Sequence, residues 1–553
     1  MWPLNATANG HRQYNAQFTN TLSEEHREAH RRFCAGYLAR LQEFDRAQLG
    51  SNGRLSYDVF KYGLERCLES LALDFHLMPI DQGGFALTAT FPIRGSGKGA
   101  QPFRTVLDYE NFLKRIDGFV EWIDTAIANM RRGMARGLVQ PRAAMESVLP
   151  QLAAMIVDDP KKSPFYEPIA GFPDEVPAEE RERIAKAYEA AIRTQIVPAY
   201  RRLHAFIRDD YLPKTRASAG LSGMPGGDKL YAYYIRANTT TSLTPAELQA
   251  IGRREMALAL QKMEALKAAS GFSGPLKEWA AKLYAQRTRY PTPDEIIGAY
   301  RSLRERVDPQ IGRLFGRLPR GDYDFRRVEP HREDGAPSQY WRAGPGRPAL
   351  FYINMRTLSL GPTGISEALF LHETNPGHHL QISLARENTA LPLFRRGGGY
   401  HAFVEGWASY AETLGFDLGL YKDPLQHLFF LNGEMSRAAA LVVDPGLHAQ
   451  GWSREQAMQF YFDHTLASIS DDAERGVRSG VERMMVWPAY STGYKIGQLK
   501  MLELRARAEA KLGPRFDLRA FHDVILMNGS MPLAVLEDVV REWIKTQGHK
   551  PTV

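Results

Sequence analysis

The sequence predicts a mainly α-helical protein with one small β-sheet. Three observations lead there. Apolar residues recur at three- and four-residue intervals between charges through most of the chain. Strand-like runs are few and short. With 44% hydrophobic and 24% charged side chains in 553 residues, the chain folds as an ordinary globular protein, with two or three cores or one large helical body with a cleft.

In chain order, the first helical stretch is "SEEHREAHRRFCAGYLARLQEFD". Cys34 falls on it and Cys67 on the next, and both are expected to be buried thiols rather than a disulfide. "GFALTATFPI" (84–93) reads as a strand, ended by the loop "RGSGKGAQP". "AEERERIAKAYEAAIRTQIVPAYRRLHAFIRDDYL" restores the helical period. The Gly-rich stretch "SAGLSGMPGGDK" near residue 220 is the expected boundary between an N-terminal helical lobe (1–220) and a second lobe (221–553). "SLTPAELQAIG" then opens a helix on a capping box, with Thr244 as cap, Pro245 in the first turn and Glu247 three residues on. After the loop "RAGPGRP", "PALFYINM" (348–355) reads as a strand just ahead of the most unusual segment of the chain.

Charge excludes more than it assigns. The 70 basic and 63 acidic residues leave +7, but the two signs are mixed and no recognition motif accompanies them, so nucleic acid is not an expected partner. No apolar run reaches membrane-spanning length, so a membrane is not expected either. The start "MWPLNATANGHRQYN" lacks a charged segment followed by an apolar core, and the expected location is the cytoplasm.

The unusual segment is "LHETNPGHHLQ" (371–381). A thermolysin-type zinc site needs three protein ligands, an open position for water and a carboxylate to act as base. His372 and Glu373 suit the first ligand and the base, on a helix capped by Thr363 or Ser366 with Ile365 and Leu369 facing inward. The fourth residue after His372 is Pro376, which binds no metal. An outward bulge of Asn375-Pro376-Gly377 would bring His378 to the place of the missing ligand. His379 is the reserve choice, although an undisturbed helix carries it about 10 Å along the axis.

"YHAFVEGWASYAETLG" (400–415) offers the third ligand. Phe403, Trp407, Tyr410 and Leu414 form its buried stripe, and Glu405 and Glu412 share a different face. Glu405 would bind the metal, while Glu412 would hydrogen-bond a ligand histidine from behind. Small residues at 406, 408, 409 and 411 would let this helix approach the His372 helix closely.

"HETNPGHHLQ" together with "FVEGWASYAE" resembles the bacterial domain of unknown function 885 family. "HLMPIDQ", "YYIRANTTTSLTPAELQAIG", "RAAALVVDPGLHAQGWSREQA", "YSTGYKIGQLKMLELRARAE" and "FHDVILMNGSMPLAVLEDVV" extend the likeness over most of the chain. That family is regarded as metallopeptidase-like, similar in helical architecture to thimet oligopeptidase and angiotensin-converting enzyme. The resemblance implies a two-lobed fold with a deep channel and the sheet beside the zinc helix. It implies Zn2+ on His372, His378 and Glu405, with Glu373 as base. It also implies an oxyanion donor from the segment after the Glu ligand, Tyr494; Tyr490, four residues earlier on the same face of a helix, is the reserve choice, and His448 in "DPGLHAQGW" is a weaker candidate for substrate contact. Ala440 departs from the pattern, which carries a second arginine there.

The expected activity is zinc-dependent hydrolysis of amide bonds in short peptides or peptide-like substrates. A pathway-specific amidohydrolase acting on a peptide-like metabolite is the first alternative. A catalytically inactive helical binding scaffold is the second, disfavoured because a purely structural zinc site would more often use four Cys or His ligands.

Overall fold

A computed structural model of the protein describes residues 2–83, 86–288, 290–328, 338–344, 347–355, 365–397, 399–469 and 473–548. Its architecture is mainly helical, with one three-stranded sheet. Thr363 lies outside the described residues.

Helices α1 (Glu24–Gln42) and α2 (Ser51–Leu71) pack together. Their Cα atoms at Cys34 and Cys67 stand 6.5 Å apart, within disulfide reach, and the two sulfurs are bonded. The expectation of two free thiols is therefore corrected: the partner of Cys34 lies across the helix pair, beyond the reach of local spacing. The strand expected at 84–93 is also corrected. Gly84 and Phe85 lie outside the described residues, Ala86 is the N-cap, and residues 87–93 belong to helix α3 (Leu87–Gly95). Phe91 is fully buried there and stacks on Phe119 of α4 (Val106–Ala135), so tertiary packing overrides the β-like run.

The long stretch after residue 177 is helical, as its period predicts, through α5 (Ala178–Ala191) and α6 (Val197–Ala205), with π-helical turns at 192–196 and 206–211. Aromatic residues from α3 to the second π turn build one core, with Phe112, Phe119, Tyr188 and Tyr211 inside it. A larger core draws mainly on residues after 220, yet it includes Leu55, Val59, Leu77 and Leu138. That larger core thus draws on residues from both sides of position 220.

Helix α7 (Gly227–Thr239) leads to α8 (Pro245–Ala269), whose start has the expected capping box, with Thr244 and Glu247 satisfying each other's backbone N–H. In the sheet, β3 (Ala349–Ile353) is central, with β1 (Tyr323–Arg327) parallel on one side and β2 (Gln339–Trp341) antiparallel on the other. Every residue of β3 is buried, which fits its unbroken apolar run. Tyr340 of the outer strand β2 stands opposite Phe351.

Five further helices frame the site: α9 (Glu367–Glu373), α10 (His378–Glu387), α11 (His401–Thr413), α12 (Pro424–Gln450) and α13 (Thr492–Leu512). Helices α11 and α13 approach each other closely. A Cβ on Gly406 would lie 2.4 Å from the Gly497 Cα, and one on Gly497 would lie 1.8 Å from the Ala402 carbonyl oxygen. Gly406, one of the small residues of α11, thus serves the contact with α13, while Glu412 of the same helix reaches His372. No helix among the described residues is long and apolar enough to cross a membrane.

Candidate metal centre

Ser366 caps α9 by accepting the Leu369 N–H, and the helix ends at Glu373. The expected bulge is corrected to a full break. Thr374 leaves helical geometry, the Asn375–Pro376 peptide is cis, and α10 begins only at His378. Proline denies the ladder its next N–H. Trp407 fixes the resulting turn from α11, donating its indole N–H to the Pro376 carbonyl at 2.9 Å. At Gly377 an added Cβ would fall 2.0 Å from the His372 carbonyl oxygen, so close backbone approach requires glycine here.

This break delivers His378 where a bulge would have. Ligand atoms of His372, His378 and Glu405 lie within 4.8 Å of one another. Nε2 of each histidine stands 3.4 Å from Glu405 Oε2, and the rings are nearly perpendicular at 87°. Those separations are too long for good hydrogen bonds, and Glu405 Oε2 and His378 Nδ1 are buried with no hydrogen-bond partner. A buried carboxylate oxygen without a donor, facing two imidazoles, fits a cation with nitrogen and oxygen ligands. The donor set fits zinc.

The support behind the cluster is a chain of buried charges. Glu412, one face-repeat along α11 from Glu405, accepts from His372 Nδ1 at 2.8 Å. That contact holds the proton on Nδ1 and turns the Nε2 lone pair toward the cluster. Arg437 of α12 grips both oxygens of Glu412 at 2.9 and 2.8 Å, and also donates to Glu434. Glu434 in turn accepts from Lys495 at 2.7 Å and Gln498 at 2.9 Å, both on α13. Burial alone would push His372 down, but Glu405 and Glu412 raise it to about 10. Burial would likewise raise Glu405, and the charge of His378 with the contacts to both histidines holds it well below its ordinary range.

Glu373 is 6% exposed, and its Oε2 accepts the Tyr340 backbone N–H at 2.7 Å. Burial raises its pKa despite the opposing pull of His378 and His372, which makes the carboxylate a better proton acceptor. Tyr494 stacks face to face with His372, ring centroids 6.2 Å apart, and Tyr490 lies 6.1 Å from Tyr494. Burial, then Glu405, pushes the Tyr494 hydroxyl well above its usual value and Tyr490 to about 12, so both remain neutral donors.

Two candidates take other places. His379 is buried with Nδ1 facing the Tyr340 hydroxyl at 3.3 Å and Nε2 donating to the Gly321 carbonyl at 3.1 Å. It anchors the sheet to α10. His448 is 1% exposed, with Nδ1 accepting the Leu221 N–H at 3.2 Å and Nε2 donating to the Met484 carbonyl at 2.9 Å. Both its nitrogens are engaged, so it pins α12 to the loop before α7 and offers no free atom to a substrate. Ala440 is buried in a small apolar cluster with Val443 and Leu447.

Sequence reasoning missed Tyr340, Glu434, Lys495 and His401. His401 stands one helical turn before Glu405, a legible signal. Its Nε2 donates to the Tyr490 carbonyl at 2.7 Å, and its ring lies 4.0 Å from that of Tyr490. Glu434 and Arg437 are likewise spaced for an ion pair on one helix.

Two solved structures resemble the chain over nearly its whole length. One is described as "the putative lipoprotein from Colwellia psychrerythraea", 25% identical, covering 98% of this chain and 96% of its own, with a TM-score of 0.88. The other is described as "a putative lipoprotein of unknown function from Shewanella oneidensis", 17% identical, covering 98% and 97%, with a TM-score of 0.68. No curated protein matches the chain. The cytoplasmic expectation is corrected by these relatives, both of which are described as lipoproteins. The Cys34–Cys67 bond agrees, because disulfides persist in oxidising compartments. The expectation rests on the character of residues 1–15, which does not report the compartment of the folded body. Residues 3–540 match the model of the family described as bacterial protein of unknown function (DUF885), and the chain belongs to that family.

Proposed function

We propose that the protein is a zinc-dependent hydrolase of amide bonds in short peptides or peptide-like substrates, working outside the cytoplasm. One observation carries the reading: His372, His378 and Glu405 converge with an unsatisfied carboxylate oxygen between them, and Glu373 directly follows the first ligand. His372, His378 and Glu405 would hold the metal. When bound there, zinc supplies Lewis acidity toward the substrate carbonyl and toward water.

The chain's own groups do the rest. Glu373 keeps Oε2 on the Tyr340 N–H, leaving Oε1 to take the attacking water's proton and pass it to the leaving amine. Tyr494, beside the His372 ring, offers a neutral O–H to the negative oxygen that develops on the carbonyl. Glu412 and Arg437 keep His372 turned toward the metal. In this reading the fold is a two-lobed, channel-bearing relative of the helical zinc peptidases.

Metal analysis combined with a peptide-library digest tests it. Glu373→Gln should retain stoichiometric zinc and lose hydrolysis, whereas His372→Ala or Glu405→Ala should lose zinc. Equal zinc loss in all three would make Glu373 a ligand and end this assignment.

A further inference from the structure

The turn before α13 holds an alanine in an unusual conformation. Ala489, fully buried, has a φ of 58°, in the left-handed region that a residue with a Cβ avoids. Such strain persists only where the surroundings over-determine it. Here they do. Asp444 of α12, also fully buried, accepts the Ala489 N–H on both carboxylate oxygens at 3.0 Å. Tyr231 of α7 fixes the same carboxylate by donating its hydroxyl at 2.7 Å. On either side, Asn238 of α7 donates to the Pro488 carbonyl at 3.2 Å, and the Thr492 hydroxyl donates to the Ala489 carbonyl at 2.6 Å.

What this turn carries is the tyrosine pair of the candidate site. The next residue, Tyr490, offers its carbonyl to His401 Nε2 at 2.7 Å, and the two rings lie 4.0 Å apart. A Cβ on Gly493 would collide with the His401 ring, so the first turn of α13 sits hard against α11. Tyr494 follows at once, edge-on to His401 and face-on to His372, with ring centroids 5.3 and 6.2 Å away. Turning Ala489 to an ordinary negative φ would redirect the chain as it enters α13, and both tyrosines with it.

We propose that Asp444 is a positioning residue: by clasping the left-handed Ala489 peptide it sets the Tyr490–Tyr494 turn and aims the Tyr494 hydroxyl at the oxygen that develops on the substrate. The proposal rests on the hydrolase reading for the task of Tyr494, but its first readout needs no turnover. The probe is acetohydroxamate, a small anion that binds zinc through oxygen and can accept one further donor. Its affinity is measured calorimetrically on the zinc-loaded full chain. Tyr494→Phe and Asp444→Ala should each weaken it roughly 10–100-fold, the scale of a hydrogen bond to a charged group, with zinc content unchanged. The double variant should be no weaker than Tyr494→Phe alone, because both changes remove one contact.

Asp444→Asn, whose amide oxygen still accepts the Ala489 N–H, should bind like the unsubstituted chain. Ala489→Gly should restore most of the affinity lost in Asp444→Ala, since glycine takes a positive φ unaided. A residue that merely stabilised the fold would not be rescued in this way. If Asp444→Ala does not fold, Asp444→Leu with Tyr231→Phe removes the carboxylate and its hydroxyl donor together and carries the same expectation. In hydrolysis, Asp444→Ala should lower kcat by roughly 10²–10³ with KM nearly constant. No binding, additive losses, unchanged affinity in Asp444→Ala or Tyr494→Phe, or no rescue by Ala489→Gly would overturn the assignment. Loss and rescue of hydroxamate binding without hydrolysis of any peptide would keep Asp444 in this role and reject the hydrolase. Hydrolysis with an affinity indifferent to Asp444 would do the reverse.

Discussion

Arg437 offers the sharpest test of how the candidate metal centre is held. Replacing it with leucine removes two contacts to Glu412, at 2.9 and 2.8 Å, and one to Glu434. The two carboxylates are not left equal. Glu434 keeps Lys495 and Gln498, whereas Glu412, 3% exposed, keeps only His372 Nδ1 among the described side chains. An unbalanced carboxylate in such a place is free to turn or to take up a proton, and either frees the His372 ring. Loss of a partner of this kind lowers metal affinity by about 10–100-fold. Breaking a buried ion pair also costs about 3–5 kcal/mol of stability. Zinc affinity measured by chelator competition, beside urea unfolding of the metal-free protein, reads both effects. Arg437→Lys should fall between, since one ammonium cannot hold both carboxylate oxygens. Unchanged zinc affinity in folded Arg437→Leu would refute the claim that this arginine sets the His372 geometry through Glu412.

Tyr494→Phe should keep zinc and lower kcat by roughly 10²–10³, the scale of one lost oxyanion donor. Unchanged turnover there with a collapse in Tyr490→Phe would move the role to Tyr490. Gly497→Ala places a Cβ 1.8 Å from the Ala402 carbonyl oxygen and should cost about 1–3 kcal/mol by denaturant unfolding as α11 and α13 part; a neutral result would mean the helices separate freely. His448 is pushed down to about 3 by burial, so the unfolded chain binds its proton first and stability falls as pH drops below 6.5 toward that value. His448→Gln can keep both backbone contacts and should flatten the loss between those limits; an unaltered pH profile would show that His448 is not the group titrating.

Local signals made the helical body legible. The Thr244 box and the Phe403, Trp407, Tyr410 and Leu414 stripe, all fully buried, needed only spacing. The convergence of His372, His378 and Glu405 was legible too, because Pro376 and Gly377 announced a disturbance and His378 followed at once. Whether the helix bulges or breaks there depends on the Trp407 indole, which arrives from another helix. The same limit hid the disulfide, the Glu434–Lys495 support and the Tyr340 N–H, each a contact between distant parts of the chain. The β-like 84–93 run failed for a related reason, since Phe91 finds its partner on α4.

The Trp407 hydrogen bond to Pro376 makes α11 a common template for the whole cluster. That one helix supplies Glu405, orients His372 through Glu412, and props the turn that presents His378. The three members of the candidate cluster therefore all depend on one helix for their placement. A cation entering such a cradle has little left to organise, so its capture should proceed without folding, and stripping it should leave the scaffold standing. Adjusting the site to another metal radius would mean shifting an entire helix against its glycine contact with α13.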